Sequence, residues 1–169
     1  MNVRAATAED VPAIAQVHVD SWRVAYRGLL PDDEIESIGL ERRRTFWNGT
    51  LSRLNAGKVD VAEDHTGVIA FCFYGPTRDA DTGAVAEIYA IYAHPEKWRC
   101  GAGRLLCERA VREAAERAHN AITLWVVKGN ARACSLYERV GFAPDGGARS
   151  NTRFLKTPFD EIRYRKAIA

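Results

Sequence analysis

Apolar positions in the first quarter of the chain recur at the spacing of an amphipathic helix. They lie three or four residues apart, at Val11, Ile14, His18, Trp22 and Ala25. Thr7 and Asp10, just ahead of them, have the spacing of a capping box, which satisfies backbone N–H groups at a helix start. We therefore expect a helix that begins after Asp10 and buries this apolar face.

The rest of the chain alternates between strand and helix patterns. Period-two runs rich in β-branched and aromatic residues predict strands over 2–5, 58–62, 68–74, 85–93, 122–127 and 161–166. Helical periodicity predicts helices over 32–40, 42–54 and 103–117. A last helix is expected between Asn130, a good N-cap residue, and Gly141, a good C′ residue.

The same patterns predict which side chains are buried. On the helix over 103–117 we expect one face against the sheet, made of Leu106, Ala110 and Ala114 with Leu105 and Val111 beside them. The basic run 42–44 is expected on a solvated helix face. Residues 143–157 show neither period and are expected to form a loop near the site.

Strict alternation along 85–93 would divide the side chains of that strand between two faces. One face would hold Glu87, Tyr89 and Ile91, and the other Ile88, Ala90 and Tyr92.

Length and composition exclude several classes of protein. The chain has 169 residues, 47% of them hydrophobic, so we expect one domain over 1–169 with a substantial core. Because 24 Lys and Arg nearly balance 22 Asp and Glu, nucleic acid is not an expected partner. No run approaches the roughly 20 apolar residues of a membrane span, and the N-terminus lacks an apolar signal-peptide core. No membrane association and a cytoplasmic location are therefore expected.

The cysteines and histidines show no metal-binding spacing, so we expect no metal and free thiols at Cys72, Cys100, Cys107 and Cys134. Cys100 is a reactive thiol if neighbouring helix N–H groups and Arg99 activate it. The alternative is a small side chain that fills a loop.

The strongest chemical signal lies between Glu87 and Glu108, where a predicted strand meets a short loop and a new helix. Gly101 and Gly103 let the backbone approach an anion, and the helix start presents free N–H groups. Arg99 and Arg104 add charge-assisted donors. This arrangement predicts a pyrophosphate-binding loop.

Two common pyrophosphate-binding motifs do not fit these residues. The dinucleotide fingerprint needs a third small residue, where this chain has Leu106, and an acidic residue about 20 positions later. A P-loop needs Lys and then Ser or Thr at the helix start, but Gly103 is followed by Arg104 and Leu105.

Two motifs in this order resemble the GNAT superfamily of N-acetyltransferases. WRCGAG, residues 98–103, is similar to the acetyl-CoA signature Gln/Arg-x-x-Gly-x-Gly/Ala, with Trp98 in place of Gln or Arg. The contact usually made there would come from Arg99, Arg104 or backbone. Residues 130–142 match the family's second motif at Asn130, Ala133, Tyr137, Gly141 and Phe142, and SWRVAYRGLLP, residues 21–31, resembles a branch of small-molecule acetyltransferases.

The resemblance implies an α/β (α+β) GNAT fold: a mixed, mostly antiparallel sheet of six to seven strands, splayed at the fourth strand and flanked by about four helices. Residues 1–57 would form the acceptor side, 58–142 the acetyl-CoA core and 143–169 the closing strands. The residues implied in binding acetyl-CoA are Ile91, Tyr92, Ala93, Arg99, Cys100, Gly101, Ala102, Gly103, Arg104, Asn130, Ala133 and Tyr137.

Two residues are candidates for catalysis. By the resemblance, the Tyr137 hydroxyl would lie near the CoA sulfur and stabilise or protonate the departing thiolate; the alternative is an amphipathic side chain that only packs. Glu87, on the central strand, is the candidate base that takes a proton from the incoming ammonium, directly or through water. A salt bridge by Glu87, with water as the base, is the alternative.

The acceptor site is expected to have aromatic walls from Trp22, Tyr26, Trp125 and Phe154, unless these side chains only fill the core. The expected reaction is acetyl transfer to the primary amine of a small molecule by direct attack in a ternary complex. A protein or peptide acceptor, or acetyl-CoA binding without turnover, are the alternatives. Pairing into a homodimer is possible for this family.

Overall fold

The computed structural model describes residues 1–54, 57–80, 83–152 and 155–168, which form seven strands and five α-helices. The strands are β1 (Asn2–Ala5), β2 (Lys58–Asp64), β3 (Gly67–Pro76), β4 (Val85–Ala93), β5 (Ala121–Val127), β6 (Ala143–Asn151) and β7 (Phe159–Ala167). The helices are α1 (Val11–Ala25), α2 (Asp32–Glu36), α3 (Leu40–Ser52), α4 (Ala102–Glu116) and α5 (Ala131–Val140). No helix in the described ranges is long and apolar enough to cross a bilayer.

The strands form one sheet in the order β1-β2-β3-β4-β5-β7-β6. Neighbours are antiparallel except β4 and β5, which run parallel. Their pairing ends at Ile88 and Leu124, although β5 stays paired with β7 as far as Val127. β4 and β5 therefore diverge beyond Ile88, which confirms the mixed sheet splayed at its fourth strand.

Helices cover both faces of this sheet. α4 and α5 pack on one face, where Leu106 and Ala110 are fully buried as the periodicity predicts. α1 and α3 pack on the other face, over a core that includes Trp47 and Phe71. The split between β4 and β5 therefore lies under helices on both sides.

The predicted capping box is present at the start of the first helical segment. The Thr7 backbone N–H donates to the Asp10 carboxylate at 2.8 Å. Arg4 of β1 donates two further bonds to Asp10, at 2.7 and 2.9 Å. The bonds from Arg4, and then those from Thr7, hold the pKa of Asp10 below its usual value. The carboxylate thus ties α1 to the sheet edge.

A β-bulge in β4 overturns the alternation expected along that strand. Opposite β3, the register shifts by one residue between Phe73 and Tyr74, which leaves Tyr89 as an extra residue. Ile88 and Ile91 consequently pack into the same core under α4, although strict alternation predicts opposite faces.

Part of the predicted loop over 143–157 is a strand. β6 pairs antiparallel with β7 at the edge of the sheet, with a register shift between Pro144 and Ala148. Its side chains are mostly exposed, so no apolar alternation marks it in the sequence. Backbone pairing with β7, rather than burial of its side chains, makes this segment extended.

Two predictions about helix surfaces are wrong. Arg43, expected on a solvated face, is buried one turn from Trp47 on the inner side of α3. Leu105, expected against the sheet, is exposed, because the buried face of α4 is centred on Leu106 and Ala110. A residue one position from such a face points away from it.

Candidate active site

The divergence of β4 from β5 opens a cleft of about 790 Å³. Its walls come from β4, β5 and β7, the loop before α4, and helices α1, α4 and α5. Most residues predicted for the site line it, namely Trp22, Tyr26, Ile91, Tyr92, Ala93, Arg99, Gly101, Ala102, Gly103, Arg104, Trp125, Asn130, Ala133 and Tyr137. The fold therefore brings both predicted halves of the site to one cavity.

One end of the cleft, the anion end, is formed by the backbone before α4. Gly101 precedes the helix in the left-handed region, with φ 95° and open space where a side chain would project. The first N–H groups of a helix, here those of Ala102 and Gly103, have no intrahelical partner, and glycine has no side chain that could cap them. Arg99 also has a positive φ of 64°, which is uncommon for a residue with a Cβ. This strained backbone presents N–H donors to an anion.

Five basic side chains line the cleft. Four lie at the anion end or at the start of α5, and the fifth is in the last turn of α5: Lys97, Arg99, Arg104, Arg132 and Arg139. Lys97 and Arg104 pair with Asp64 and Glu108. Within the described ranges the other three arginines form no ion pair, so their charges are not compensated there. The charge of this end suits a polyanionic ligand.

Trp98, where the family pattern has Gln or Arg, anchors the end of β4. Its indole N–H donates to the Ala93 carbonyl at 2.9 Å, which also accepts from the Ser21 hydroxyl at 2.8 Å. The guanidinium of Arg132 lies 3.7 Å from the Trp98 ring centroid. The cation next to Trp98 therefore comes from α5. The sequence pattern did not predict it, because nothing near Arg132 distinguishes it from an ordinary surface arginine.

α5 begins beside the anion end. The Asn130 side chain accepts from the Ala133 N–H at 3.2 Å, which confirms the predicted N-cap. A Cβ at Gly103 would lie 3.1 Å from Leu136 Cδ2, so glycine lets α4 and α5 approach closely. Gly103 therefore has a packing role besides giving access to the backbone.

Tyr137 of α5 lines the cleft and is buried among aromatic rings. Its ring centroid lies 6.2 Å from that of Phe142 and 6.1 Å from that of Tyr164. Burial, with a smaller effect of nearby ionisable groups, raises the pKa of Tyr137 well above its usual value. The hydroxyl therefore keeps its proton in the neutral range and remains a hydrogen-bond donor.

The opposite end, the acceptor end, is lined by aromatic side chains from α1, β4, β5 and β7: Trp22, Tyr26, Tyr92, Trp125 and Phe159. Trp22 and Tyr26 meet edge to face at 4.7 Å, and the hydroxyls of Tyr26 and Tyr92 lie 3.3 Å apart. Burial raises the pKa of Tyr26 well above its usual value. Both predicted α1 aromatics therefore line the cleft as well as packing in a core.

Charged groups fix Trp125 in place. Its indole N–H donates to Asp79 at 2.8 Å, and the Arg149 guanidinium lies 4.1 Å from the ring centroid. Arg163 lies 5.7 Å from the same centroid. Trp125 therefore already carries a stacked cation, so its role in the wall is primarily apolar contact.

α2 and the segment 155–157 pack against the aromatic side chains of this end. Leu30, Ile35, Leu155 and Phe159 form one core with the α1 aromatics. The Glu34 carboxylate of α2 accepts from the N–H and hydroxyl of Thr157 and from the neighbouring N–H of residue 156. These bonds join two segments that are distant in sequence.

Three predicted site residues do not line the described cleft. Glu87 is 1% exposed and accepts from the backbone N–H of Arg78 at 2.9 Å and from its guanidinium, which is the salt bridge left open as the alternative. Cys100 is exposed in the loop. Phe154 lies outside the described residues.

Glu161 of β7 lines the cleft and was missed from the sequence. It is 4% exposed, and its Oε2 accepts from Arg149 Nε at 2.7 Å and from Asn151 Nδ2 at 3.0 Å. In the sequence it merely begins an alternating run. Only the pairing of β7 with β5 reveals that this position faces the split.

Across the described residues, no group of three or more His, Cys, Asp or Glu side chains is arranged to hold a metal ion. The four cysteines are free thiols, with Cys72 and Cys107 buried.

The split sheet, the helix start after Gly101 and the basic side chains define the class, an α/β protein with a cleft at a parallel strand junction. The model of the acetyltransferase (GNAT) family matches residues 13–142, and the chain belongs to this family of acyltransferases.

Known proteins similar to this chain agree with that assignment. The uncharacterized N-acetyltransferase YuaI of Bacillus subtilis (strain 168) is 34% identical over 163 residues, covering 96% of this chain and 90% of YuaI. The PaiA N-acetyltransferase of Thermoplasma acidophilum, solved with coenzyme A, has a TM-score of 0.77 at 19% identity, with 98% of each chain covered. A ribosomal-protein-alanine N-acetyltransferase from Brucella melitensis has a TM-score of 0.74 at 23% identity, with 99% of each covered.

Proposed function

We propose that this protein, as a single domain over 1–169, transfers the acetyl group of acetyl-CoA to the primary amine of a small molecule within a ternary complex. The observation that carries the proposal is the separation of positive and negative charge between the two ends of the cleft. Helix N–H groups and four of the five basic lining residues lie at the anion end, and a carboxylate among aromatic rings lies at the acceptor end. Membership of the family supports the use of acetyl-CoA.

The residues of the anion end fit the pyrophosphate of acetyl-CoA. Open space above Gly101, with the unpaired N–H groups after it, forms a cradle that a Cβ would narrow. Arg99 and Arg132 would add charge, and Asn130 lies beside them at the start of α5. Cys100 is expected to contribute only backbone contacts.

The edge of β4 that diverges from β5 fits the pantetheine arm. Pairing with β5 ends at Ile88, so the edge of β4 beyond that residue is not paired with β5 and can align an extended ligand. When bound, acetyl-CoA supplies a thioester whose acetyl carbon accepts the amine and whose sulfur leaves as a thiol.

Tyr137 is our candidate for the proton donor. Its hydroxyl stays protonated because the side chain is buried, and the side chain lines the cleft between α4 and β5. A positioned donor of this kind typically contributes about 10²- to 10⁴-fold to a rate.

A small acceptor is favoured because this end of the cleft is lined by packed aromatic side chains. Trp22, Tyr26 and Phe159 belong to one buried core, and the hydroxyls of Tyr26 and Tyr92 lie 3.3 Å apart. A protein N-terminus is the second candidate, supported by the likeness to the Brucella ribosomal-protein enzyme.

The test is release of CoA thiol from acetyl-CoA with small amines and peptides, together with thermal stabilisation by CoA. Turnover of small amines is the expected result. Turnover of peptides alone would favour the second candidate. Stabilisation by CoA without turnover on any amine would indicate a binding module, and loss of both would contradict the proposal.

A further inference from the structure

Two buried carboxylates lie on the strands that flank β5, at the split of the sheet. Glu87 is on β4 and Glu161 is on β7, and they are 1% and 4% exposed. Carboxylates are seldom buried without a partner, so the bonds that each one makes show what it is free to do.

The bonds of Glu87 use both carboxylate oxygens. Arg78 donates from its backbone N–H and from Nε to Oε2, and from its guanidinium to Oε1. Glu87 lies outside the lining of the cleft in the described residues. It is held as half of a buried ion pair.

The bonds of Glu161 leave one oxygen available. Arg149 and Asn151 both donate to Oε2, and neither donates to Oε1. Since Glu161 lines the cleft, its second oxygen can serve a ligand there. Among the lining residues in the described ranges, Glu161 is the one acidic side chain.

The surroundings of Glu161 favour a cation bound beside an apolar group. Tyr26 lies close enough that the charge of Glu161 contributes to the raised pKa of Tyr26. Trp125 and Phe159 complete the wall. Arg149 of β6 forms an ion pair with Glu161 at 2.7 Å and a longer one with Asp79 at 3.7 Å. Tyr26 of α1 is the titratable group of the opposite wall that the charge of Glu161 reaches. The paired position on β5 is the apolar Val127.

We propose that Glu161, and not Glu87, binds the ammonium group of the acceptor and takes its proton; this rests on the function proposed above. One N–H bond of the ammonium breaks, its electron pair stays on nitrogen as the attacking lone pair, and the proton passes to Oε1 of Glu161. The proton leaves to water when the product departs. The cations at the anion end repel the ammonium, so the charges of the cleft orient the acceptor toward Glu161.

The first test measures binding without turnover. Calorimetry in the presence of CoA compares 2-phenylethylamine with 2-phenylethanol, a neutral analogue of nearly the same shape. We expect wild type to prefer the amine by about 10-fold or more, and Glu161→Gln to bind both equally. Glu161→Asp, which keeps the charge, should retain a preference. Asp160→Asn, an exposed carboxylate one residue away on β7, is the matched control and should behave as wild type.

The second test is the pH dependence of turnover with 2-phenylethylamine. Without its base, the enzyme must draw free amine from solution, so Glu161→Gln should lose about 10²-fold near pH 7 and recover as pH rises toward the pKa of the amine. If Glu161 had only a structural role, the loss of turnover in Glu161→Gln would persist as pH rises.

Several outcomes would overturn the inference: no preference for the amine in wild type, an unchanged preference in Glu161→Gln, or a pH-rescued loss in Glu87→Gln but not in Glu161→Gln. Melting curves and CoA affinity, measured for every variant, separate misfolding from loss of the charge. Failure of wild type to bind CoA at all would instead contradict the proposed function.

Discussion

The two ends of the cleft are built in different ways. The anion end consists mainly of backbone from one continuous stretch, 97–104, together with the start of α5. The acceptor end consists of side chains from α1, β4, β5 and β7, which together span more than a hundred residues of sequence. The anion end is a local sequence motif, whereas the acceptor end forms only when distant segments of the chain fold together.

The two ends therefore differ in the substitutions that they tolerate. Gly101 has a positive φ, and a Cβ at Gly103 would lie 3.1 Å from Leu136, so few residue types can replace these glycines. The acceptor end depends on which side chains project into the split, so single substitutions there would alter specificity and leave the fold intact. The following predictions test this contrast.

The largest effect is expected at Tyr137. Tyr137→Phe removes the hydroxyl but keeps the ring packed against Phe142 and Tyr164. We expect kcat to fall by about 100-fold or more, with the Kd of acetyl-CoA changed by less than about twofold. Steady-state kinetics and calorimetry measure the two quantities. Wild-type turnover in this variant would contradict the proton-donor role.

A smaller effect on cofactor binding is expected at Gly101. Gly101→Ala places a Cβ on a residue with φ 95°, which costs about 1–2 kcal/mol and should weaken acetyl-CoA binding by about 10-fold. Gly49→Ala is the matched control, since Gly49 lies inside α3 with nothing within 4 Å of the added Cβ. That control should gain about 0.5–1 kcal/mol of stability and bind normally. Equal affinities of Gly101→Ala and Gly49→Ala for acetyl-CoA would contradict the assignment of the anion end as the pyrophosphate site.

A specific effect on the acceptor is expected at Tyr26. Tyr26→Phe leaves the Tyr92 hydroxyl without its 3.3 Å partner while keeping the aromatic contact with Trp22. We expect the KM for the acceptor to rise by about 3- to 10-fold and acetyl-CoA affinity to stay unchanged. A matching loss of acetyl-CoA affinity would mean that the two ends are not separate.

The smallest effect is expected from alkaline pH. Burial raises the pKa of Tyr137, so turnover should not fall through loss of its proton between about pH 7 and pH 9.5. A pKa that is higher in the folded state stabilises the fold below the unfolded value of about 10 and loses that contribution as pH rises past it. Denaturant unfolding should therefore show falling stability above that pH, and Tyr137→Phe should weaken the fall.

Sequence and structure agree best where a local pattern carries the signal. The N-cap bond of Asn130, the bounds of β4 and the capping box at Thr7 each depend on a few neighbouring residues. Agreement fails where pairing between distant segments decides the outcome. No periodicity in the sequence predicts the extra residue Tyr89 in β4 or the exposed edge strand β6.

By itself, the sequence determined the family, the kind of sheet and the glycine-containing loop before α4, because glycines and a helix start act through local backbone conformation. Only the tertiary structure decided which carboxylate faces the cleft. Each carboxylate is paired with an arginine, but Arg78 donates to both oxygens of Glu87, whereas Arg149 donates only to Oε2 of Glu161. The pairing of β7 beside β5 turns Glu161 toward the split. A side chain's direction depends on register and bulges between strands distant in sequence, and no local pattern of residues records that pairing.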